Sequence, residues 1–216
     1  MLTRMLETEG FQIYPGVFTT EEMDQLANEL PAVERAGTRC LLDDERVLRI
    51  ARDPRLRALV GPQSFAVRAL LFDKTAESNW GLRWHQDLSV AVFERRDVPG
   101  FSAWTIKTGV PHAQAPVAVL ERMVSLRIHL DDCGPSAGPL RVVPRSHALG
   151  RLDADAIGNQ PEYEHTCFAM RGDVLAFKPL LLHASGSSTS PNHRRVLQIE
   201  FARDDVPAGL QWRWRV

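Results

Sequence analysis

The order of apolar and polar positions divides the chain into a helical opening and a β-rich remainder. A Thr-Thr-Glu-Glu start at 19–22 is followed by apolar residues at helical spacing, which end before Pro31: Met23, Leu26 and Leu30. This pattern predicts one amphipathic helix. A second, short helix is predicted over 53–60, because glycine and proline follow it at 61 and 62.

From about residue 64 the apolar residues fall into short runs bounded by Gly, Pro, Asp or Ser: 64–72, 123–130, 140–143, 174–177 and 196–201. The runs lie too close together for parallel strands joined by helices. We therefore expect a mainly β fold with flanking helices, an antiparallel sandwich or barrel. The expected organisation is one domain over 1–216, with a helical part at about 1–63 and the β core at about 64–216. The stretch 91–120, rich in Pro and Gly, is predicted to be a long ordered loop.

Composition narrows the class of protein. With 216 residues, 44% hydrophobic and 25% charged, the chain can bury a sizeable core, and its net charge of −1 gives no basic excess for nucleic-acid phosphates. The start lacks the apolar segment of a signal peptide, and no run approaches the roughly 20 apolar residues that span a bilayer. A cytoplasmic protein without a nucleic-acid or membrane partner is expected, with three reduced, mostly structural cysteines: Cys40, Cys133 and Cys167.

A candidate metal site begins with His85 and Asp87. These residues lie two apart, so on an extended strand their side chains leave the same face. The pair alone is common by chance, and a histidine beside a carboxylate at a strand end is the commoner explanation. His183, at the end of an apolar run, adds a third ligand of the right kind. Two imidazoles and one carboxylate leave coordination positions open and suit non-haem Fe(II), while zinc is the alternative.

An iron site of this type needs a source of electrons, which a bound keto acid supplies if a cation holds its far carboxylate. Arg194 lies eleven positions after His183, where the next strand is predicted to begin. Its planar guanidinium pairs with a carboxylate through two hydrogen bonds. Arg195 is the competing choice, because adjacent residues lie on opposite faces of a strand.

Several motifs together resemble the phytanoyl-CoA dioxygenase family: His85-x-Asp87, His183, Arg194, the GPLRVVPRSH stretch at 138–147 and the His-Ala-Ser-Gly turn at 183–186. The resemblance runs from the EGFQIYPGVFTTEE segment near the start to the last predicted strand. It implies a double-stranded β-helix, also called a jelly roll, and a dioxygenase that uses Fe(II), 2-oxoglutarate and O₂. It also implies that the two histidines and Asp87 bind Fe(II), and that Arg194 binds 2-oxoglutarate.

Further residues are candidates for the same site. Arg127 lies in a run whose odd positions, 125–131, are all polar, which is typical of a strand face that lines a site or of one that faces solvent. Lys74 matches a lysine that family members often carry shortly before the His-x-Asp pair, so the resemblance implies that it helps to bind 2-oxoglutarate; a solvated loop lysine is the alternative. Four residues on or beside the long loop are candidates for substrate binding: Trp84, Trp104, Lys107 and His112.

The resemblance also implies the reaction. Halogenating relatives replace the carboxylate of the metal triad with a small residue, so Asp87 implies hydroxylation of a small molecule with release of succinate and CO₂. Two other classes are retained: a cupin-like metal protein of different chemistry, and a non-catalytic β-sandwich binding module. At Arg145 the chain departs from the glycine usual in the family, and arginine is expected to resist a positive φ there. Neither the substrate nor the oligomeric state follows from the sequence.

Overall fold

The computed structural model describes residues 3–30, 33, 37–158, 163–190 and 192–216. Its helices are α1 (Thr3–Glu9), α2 (Thr20–Glu29), α3 (Glu45–Ala51), α4 (Pro54–Val60), α5 (Val117–Leu120) and α6 (Ala154–Gly158). Its strands are β1 (Phe11–Tyr14), β2 (Gly37–Arg39), β3 (Phe65–Lys74), β4 (Leu82–His85), β5 (Ser89–Ala91), β6 (Ser102–Lys107), β7 (Val110–Gln114), β8 (Met123–His129), β9 (Leu140–Val142), β10 (His165–Cys167), β11 (Val174–Phe177), β12 (His183–Ser185) and β13 (Arg194–Ala202).

Two antiparallel sheets form the body of the molecule. The larger has six strands in the order β1-β11-β8-β13-β3-β2, and the smaller has four in the order β10-β9-β12-β4. An apolar cluster with members from both sheets packs between them, including Phe11, Leu140, Val142 and Phe177. This arrangement confirms the expected double-stranded β-helix.

The central strands of the larger sheet have two different faces. Inward positions carry polar side chains, and the pairing of β13 with β8 and β3 places Glu200 beside Ser125 and Arg68. Outward positions are apolar, and residues such as Ile128 and Leu197 pack against α2, α3 and α4 in the largest core cluster. Helices therefore cover the outer face, so both faces of the central strands are buried, and the outer face is mainly apolar.

The N-terminal part combines helices with two strands. The side-chain oxygen of Thr19 accepts from the backbone N–H of Glu22, whose carboxylate accepts from the N–H of Thr19, so a capping box starts α2 as its sequence predicts. The helix ends at Glu29, and Pro31 lies outside the described residues. β1 pairs with β11 and β2 pairs with β3, so the stretch before residue 64 also supplies both edges of the six-stranded sheet.

The stretch 91–120 is not the loop that was predicted. β5, β7 and β6 form a third antiparallel sheet, and α5 follows it. Thr108 and Gly109, with φ of 50° and 76°, form the turn that joins β6 to β7. Exposed residues occupy much of β6, including Ile106 at 76% exposure, so these strands lack the apolar alternation on which the prediction depended. Across the described residues, no helix has both the length and the apolar character needed to cross a lipid bilayer.

The expectation that Arg145 resists a positive φ is wrong. Its φ is 69°, in the left-handed region, so the turn keeps the conformation that a glycine accommodates. The backbone N–H of Arg145 donates to the carbonyl of Glu9 at 2.9 Å, and its guanidinium lies 3.1 Å from the carboxylate of the same residue. These contacts with the end of α1 hold the strained residue in place.

Candidate active site

Three side chains of metal-ligand type meet at one end of the facing sheets. His85 ends β4, Asp87 lies two residues later, and His183 begins β12, where it pairs with His85 across the sheet. Nε2 of His85 lies 3.9 Å from Oδ1 of Asp87, and Nε2 of His183 lies 3.8 Å from Oδ2. One potential ligand atom from each residue lies within 4.8 Å of the others, and the described part of the chain holds no second group of this kind. We call these residues the triad.

Backbone carbonyls orient both imidazoles. Nδ1 of His85 lies 2.7 Å from the carbonyl oxygen of Arg83, and Nδ1 of His183 lies 2.8 Å from that of Leu181. A proton on Nδ1 is donated to each carbonyl, which leaves Nε2 of each ring with a free lone pair beside Asp87. This is the tautomer that metal-binding histidines need.

Gln86 fixes the segment between the first two ligands. Its side-chain amide donates to the carbonyl oxygens of Gly150 at 2.8 Å and Leu180 at 2.6 Å, and its Oε1 accepts from the N–H of Leu152 at 2.8 Å. Gln86 is buried, and all three of its partners are backbone groups. The strand end that carries the ligands is therefore tied to two neighbouring loops.

The electrostatics of the triad favour the protonation states that a metal needs. Burial lowers the pKa of His183 to about 4, so its ring is neutral at pH 7. Burial acts to raise the pKa of Asp87, but the charges of His183, His85 and Arg68 outweigh it and the pKa is lowered. A neutral His183 and an ionised Asp87 coordinate a cation without first releasing protons. The nitrogen and oxygen donor set therefore fits Fe(II).

Besides Arg68, three buried lysine and arginine side chains lie on the inward face of the larger sheet, and we call them the inner cations: Lys74, Arg127 and Arg194. They are 1%, 7% and 3% exposed, and Lys74 and Arg194 are direct partners in the pairing of β3 with β13. Burial, followed by the charges of Arg194 and Arg127, lowers the pKa of Lys74 to about 7. Burial and the charge of Arg194 lower the pKa of Arg127 to about 10. The three groups are thus close enough to repel one another.

Among the described residues, none of the inner cations has a carboxylate partner. Nε of Arg127 and both ring nitrogens of His129 are buried without any hydrogen-bond partner. The hydrogen bonds that the inner cations do make go to neutral oxygens, those of Ser185, Gly186, Ala137, Gly138 and Gln198. Buried cations without a counter-charge are costly, so this region fits a bound dianion such as 2-oxoglutarate.

Arg194 and Arg195 point to opposite faces of β13, as alternation requires. Nε and Nη2 of Arg195 donate to the carboxylate of Asp131 at 2.9 Å and 2.8 Å, on the side of the sheet where α2 packs. Arg194 shares the inward face with Gln198, which lies beside Asp87 at 3.5 Å. Of the two arginines left open by the sequence, Arg194 is therefore the one on the side of the triad.

A cavity of about 550 Å³ opens in front of the triad. Its wall includes functional candidates that the sequence analysis missed: Arg39, Arg68, Trp80, Gln86 and Gln198. Arg68 forms a buried ion pair with Glu200, through Nε and Oε2 at 2.9 Å and a second contact between Nη2 and Oε1. Each of these two residues is a lone charge inside an apolar strand sequence, FAVRALLF and VLQIEF. That pattern is the signal that a buried partner exists.

Lys107 is the one candidate for substrate binding that lines this cavity. Trp84 precedes His85 on β4, so its side chain lies on the opposite face of the strand. On that face the guanidinium of Arg141 lies 5.2 Å from the centroid of the Trp84 ring. Trp84 therefore does not face the triad.

Trp104 and His112 also lie outside the cavity wall. Trp104, on β6, packs against the second core cluster, and Arg95 lies 5.9 Å from its ring centroid. His112, on β7, is fully buried, and its Nδ1 lies 2.9 Å from the carbonyl oxygen of Val110. Trp104 therefore packs against the core, and Nε2 of His112 is buried without a hydrogen-bond partner among the described residues.

The geometry agrees with what comparison with known proteins shows. The family model described as phytanoyl-CoA dioxygenase (PhyH) matches residues 6–196. Ectoine dioxygenase of Nocardia farcinica is 27% identical over 90% of this chain and 74% of its own length.

Two solved structures share the fold. The epimerase SnoN of nogalamycin biosynthesis, solved with Fe³⁺, α-ketoglutarate and nogalamycin RO, superposes with a TM-score of 0.68 at 16% identity, covering 96% of this chain and 90% of SnoN. HygX of Streptomyces hygroscopicus, solved with nickel, 2-oxoglutarate and hygromycin B, gives 0.66 at 21% identity, covering 93% and 86%.

Proposed function

Because this chain belongs to the phytanoyl-CoA dioxygenase family, whose members depend on Fe(II), 2-oxoglutarate and O₂, we propose that it hydroxylates a small molecule with release of succinate and CO₂. One observation carries the proposal. A triad suited to Fe(II) lies beside three buried cations that have no carboxylate partner among the described residues. The triad binds a metal and the inner cations bind a dicarboxylate, and this chemistry requires both.

The residues divide the work between them. His85, Asp87 and His183 hold Fe(II), which together with 2-oxoglutarate and O₂ supplies the oxidising chemistry. Arg194 pairs with the far carboxylate of 2-oxoglutarate, and Lys74 and Arg127 add the charge that a dianion requires. The apolar side chains of the cavity wall, such as Phe72 and Leu140, limit the access of water to the reacting groups.

Hydroxylation is the outcome that the triad favours. Asp87 occupies the carboxylate position that halogenating relatives leave open, and its pKa is low enough to keep it ionised beside the metal. The fold alone does not decide the reaction, since a structural relative is an epimerase. The cavity volume of about 550 Å³ suits a small molecule bound next to 2-oxoglutarate.

The other two classes make different use of the same residues. A cupin-like zinc or iron protein of different chemistry needs the triad but not the inner cations. A non-catalytic β-sandwich needs neither. The burial of Arg194 without a carboxylate partner in the described residues supports the oxygenase, because in that class a dicarboxylate ligand supplies the missing charge.

Anaerobic titration tests the proposal. The protein with Fe(II) and 2-oxoglutarate is expected to show a weak visible charge-transfer band, and His85→Ala is expected to abolish both the band and succinate release in air. If the wild-type protein shows no band and His85→Ala changes nothing, it is not an oxygenase. Metal analysis that finds zinc together with activity independent of 2-oxoglutarate would support the cupin-like alternative.

A matched pair of variants tests the role of Arg194. Arg194→Met is expected to raise the 2-oxoglutarate concentration for half-maximal band intensity by about 10-fold to 100-fold, the range for loss of a charge-assisted pair. Arg195→Met removes the adjacent guanidinium from the outer face and is expected to leave that concentration unchanged. Thermal unfolding of both variants separates a lost ligand contact from a general loss of stability. Equal effects of the two variants on 2-oxoglutarate binding would contradict the assignment.

A further inference from the structure

Two cations on the wall of the cavity lie apart from the inner cations, and we call them the outer cations: Arg39 and Lys107. Arg39 ends β2, Lys107 ends β6, and both line the cavity that contains His85 and Asp87. Lys107 is half-buried, and Arg39 is exposed. In the parts of the chain that the structure describes, neither side chain forms an ion pair or a hydrogen bond. No counter-charge among the described residues therefore competes with a ligand for these two cations.

The outer cations come from two elements that are in contact. Sγ of Cys40, next to Arg39, lies 3.9 Å from the backbone carbonyl oxygen of Lys107. Burial, followed by the charges of Arg68 and Arg39, lowers the pKa of Lys107. Positive charges gathered on the wall of a cavity attract an anion to it.

The other charges at this part of the wall are already committed. Glu200 forms two contacts with Arg68 and neutralises it, and Asp87 belongs to the triad. Apart from Arg127, which belongs to the inner cations, the positive charge on the wall that lacks a carboxylate partner in the described residues is therefore that of the outer cations.

The outer cations lie on other strands than the inner cations, β2 and β6 against β3, β8 and β13. Of the inner cations, Arg127 lines the cavity, and Lys74 and Arg194 lie behind its wall, next to each other in the pairing of β3 with β13. The positive charge around the cavity thus falls into an outer and an inner region. A single 2-oxoglutarate that occupies the inner region leaves the outer region without an anion.

We propose that the outer cations bind an anionic group of the organic substrate, a carboxylate or a phosphate monoester. This inference rests on the proposed function, because it takes the inner cations to be occupied by 2-oxoglutarate. The guanidinium of Arg39 offers a planar pair of donors, and the ammonium of Lys107 adds a point charge. A small acid held at its charged end by these two groups keeps its uncharged body in the cavity in front of the triad.

Binding of small acids and of their neutral analogues tests this inference. The anaerobic protein with Fe(II) and 2-oxoglutarate is titrated with cyclohexanecarboxylate and cyclohexanecarboxamide, and with phenyl phosphate and phenol, while ligand-observed NMR measures binding. The acid of at least one pair is expected to bind about 10-fold or more tightly than its neutral partner, and the better pair identifies the anionic group. Arg39→Gln and Lys107→Gln are each expected to remove that preference. Arg52→Gln, at an exposed arginine after α3, is the matched control and is expected to keep it.

Three outcomes would overturn the inference. The first is equal or undetectable binding of acid and neutral partner by the wild-type protein. The second is loss of the Fe(II)–2-oxoglutarate band in Arg39→Gln or Lys107→Gln, because the outer cations would then hold the co-substrate. The third is an equal loss of preference in Arg52→Gln. If wild type shows no Fe(II)–2-oxoglutarate band, the proposed function is overturned. A preference for acids that depends on both outer cations still supports the anion site in that case.

A charge reversal gives a positive test. Lys107→Glu is expected to lose the preference for cyclohexanecarboxylate, because the charges at 39 and 107 then sum to zero. The double variant Arg39→Glu, Lys107→Glu is expected to bind cyclohexylmethylamine instead, because the sign of the local charge is inverted. A misfolded Lys107→Glu protein binds neither compound, and circular dichroism detects the misfolding. In that case the comparison of Lys107→Gln with wild type decides. A folded Lys107→Glu protein that still prefers the acid would contradict the inference.

Discussion

The buried pair of Arg68 and Glu200 makes a stability prediction that depends on pH. Arg68→Met removes the guanidinium and keeps much of the stem, while Glu200 stays in place with its side chain 4% exposed. The carboxylate then loses both contacts with Arg68 and retains one weak hydrogen bond, from Nε2 of Gln198 at 3.3 Å. An unpaired carboxylate in such a position takes up a proton rather than remain charged.

The size of the effect follows from the cost of that proton. Burial already raises the pKa of Glu200 against the opposing charge of Arg68, and without Arg68 the pKa rises further. Holding Glu200 protonated costs ~1.4 kcal/mol for each pH unit above the ordinary glutamate value of about 4.3, which is ~3.7 kcal/mol at about pH 7. Breakage of a buried ion pair costs a similar ~3–5 kcal/mol. The sign follows from the raised pKa: the penalty is absent below about pH 4 and grows as the pH rises.

Urea unfolding of wild type and Arg68→Met measures this penalty. Because the pKa of Glu200 is already raised in wild type, the variant is expected to lose at most ~3.7 kcal/mol of unfolding free energy relative to wild type at about pH 7. The loss is expected to be smaller at about pH 5.5, by at most ~2 kcal/mol. The double variant Arg68→Met, Glu200→Leu contains no unpaired charge and is expected to recover most of the loss at both pH values. The reasoning is refuted if the single variant loses the same free energy at both pH values, or if the double variant recovers none of it.

Three further predictions follow from the site. Gln86→Leu removes three hydrogen bonds to backbone groups and is expected to lower the unfolding free energy by ~3 kcal/mol. A metal titration is expected to show an Fe(II) affinity about 10-fold to 100-fold lower, and an unchanged affinity would show that the Gln86 amide does not position the ligands. Affinity for 2-oxoglutarate is expected to fall as the pH rises from about 7 to 9, because burial lowers the pKa of Lys74 to about 7 and the lysine loses its proton in this range. Calorimetry on wild type and Lys74→Met checks this, and a pH dependence of the affinity that persists in Lys74→Met would exclude the lysine as its cause. Arg145→Gly is expected to raise the unfolding free energy by ~1 kcal/mol, because it relieves a left-handed arginine and loses only an exposed ion pair; a lower melting temperature would contradict this.

The candidate ligands could be predicted because short-range geometry controls them. Two residues two apart on a strand share a face, so His85 and Asp87 come together wherever the strand lies in the fold. The donor set that a metal requires then pointed to His183, the need for a cation pointed to Arg194 or Arg195, and the family resemblance favoured Arg194. The face of Arg194 could not be read from polarity, because helices bury the outer side of the sheet as deeply as the site buries the inner side.

Residues brought together by long-range pairing could not be predicted. Arg68 and Glu200 are 132 positions apart and meet only through the register of β3 with β13. The third sheet was missed for a related reason. The exposed strand β6 is held by its partner β7 rather than by an apolar face, and that pairing leaves little trace in the local pattern of residues.

The position of β4 has a consequence for how the site fails. β4 has four residues and is the edge strand of the smaller sheet, where it pairs with β12. If this strand opens, His85 and Asp87 separate from His183 while the helix-covered six-stranded sheet stays folded. Amide hydrogens of β4 should then exchange faster than those of β8 or β13, and metal binding should be lost below the temperature at which the whole chain unfolds. A metal that joins the two strands ties down the edge that would otherwise open first.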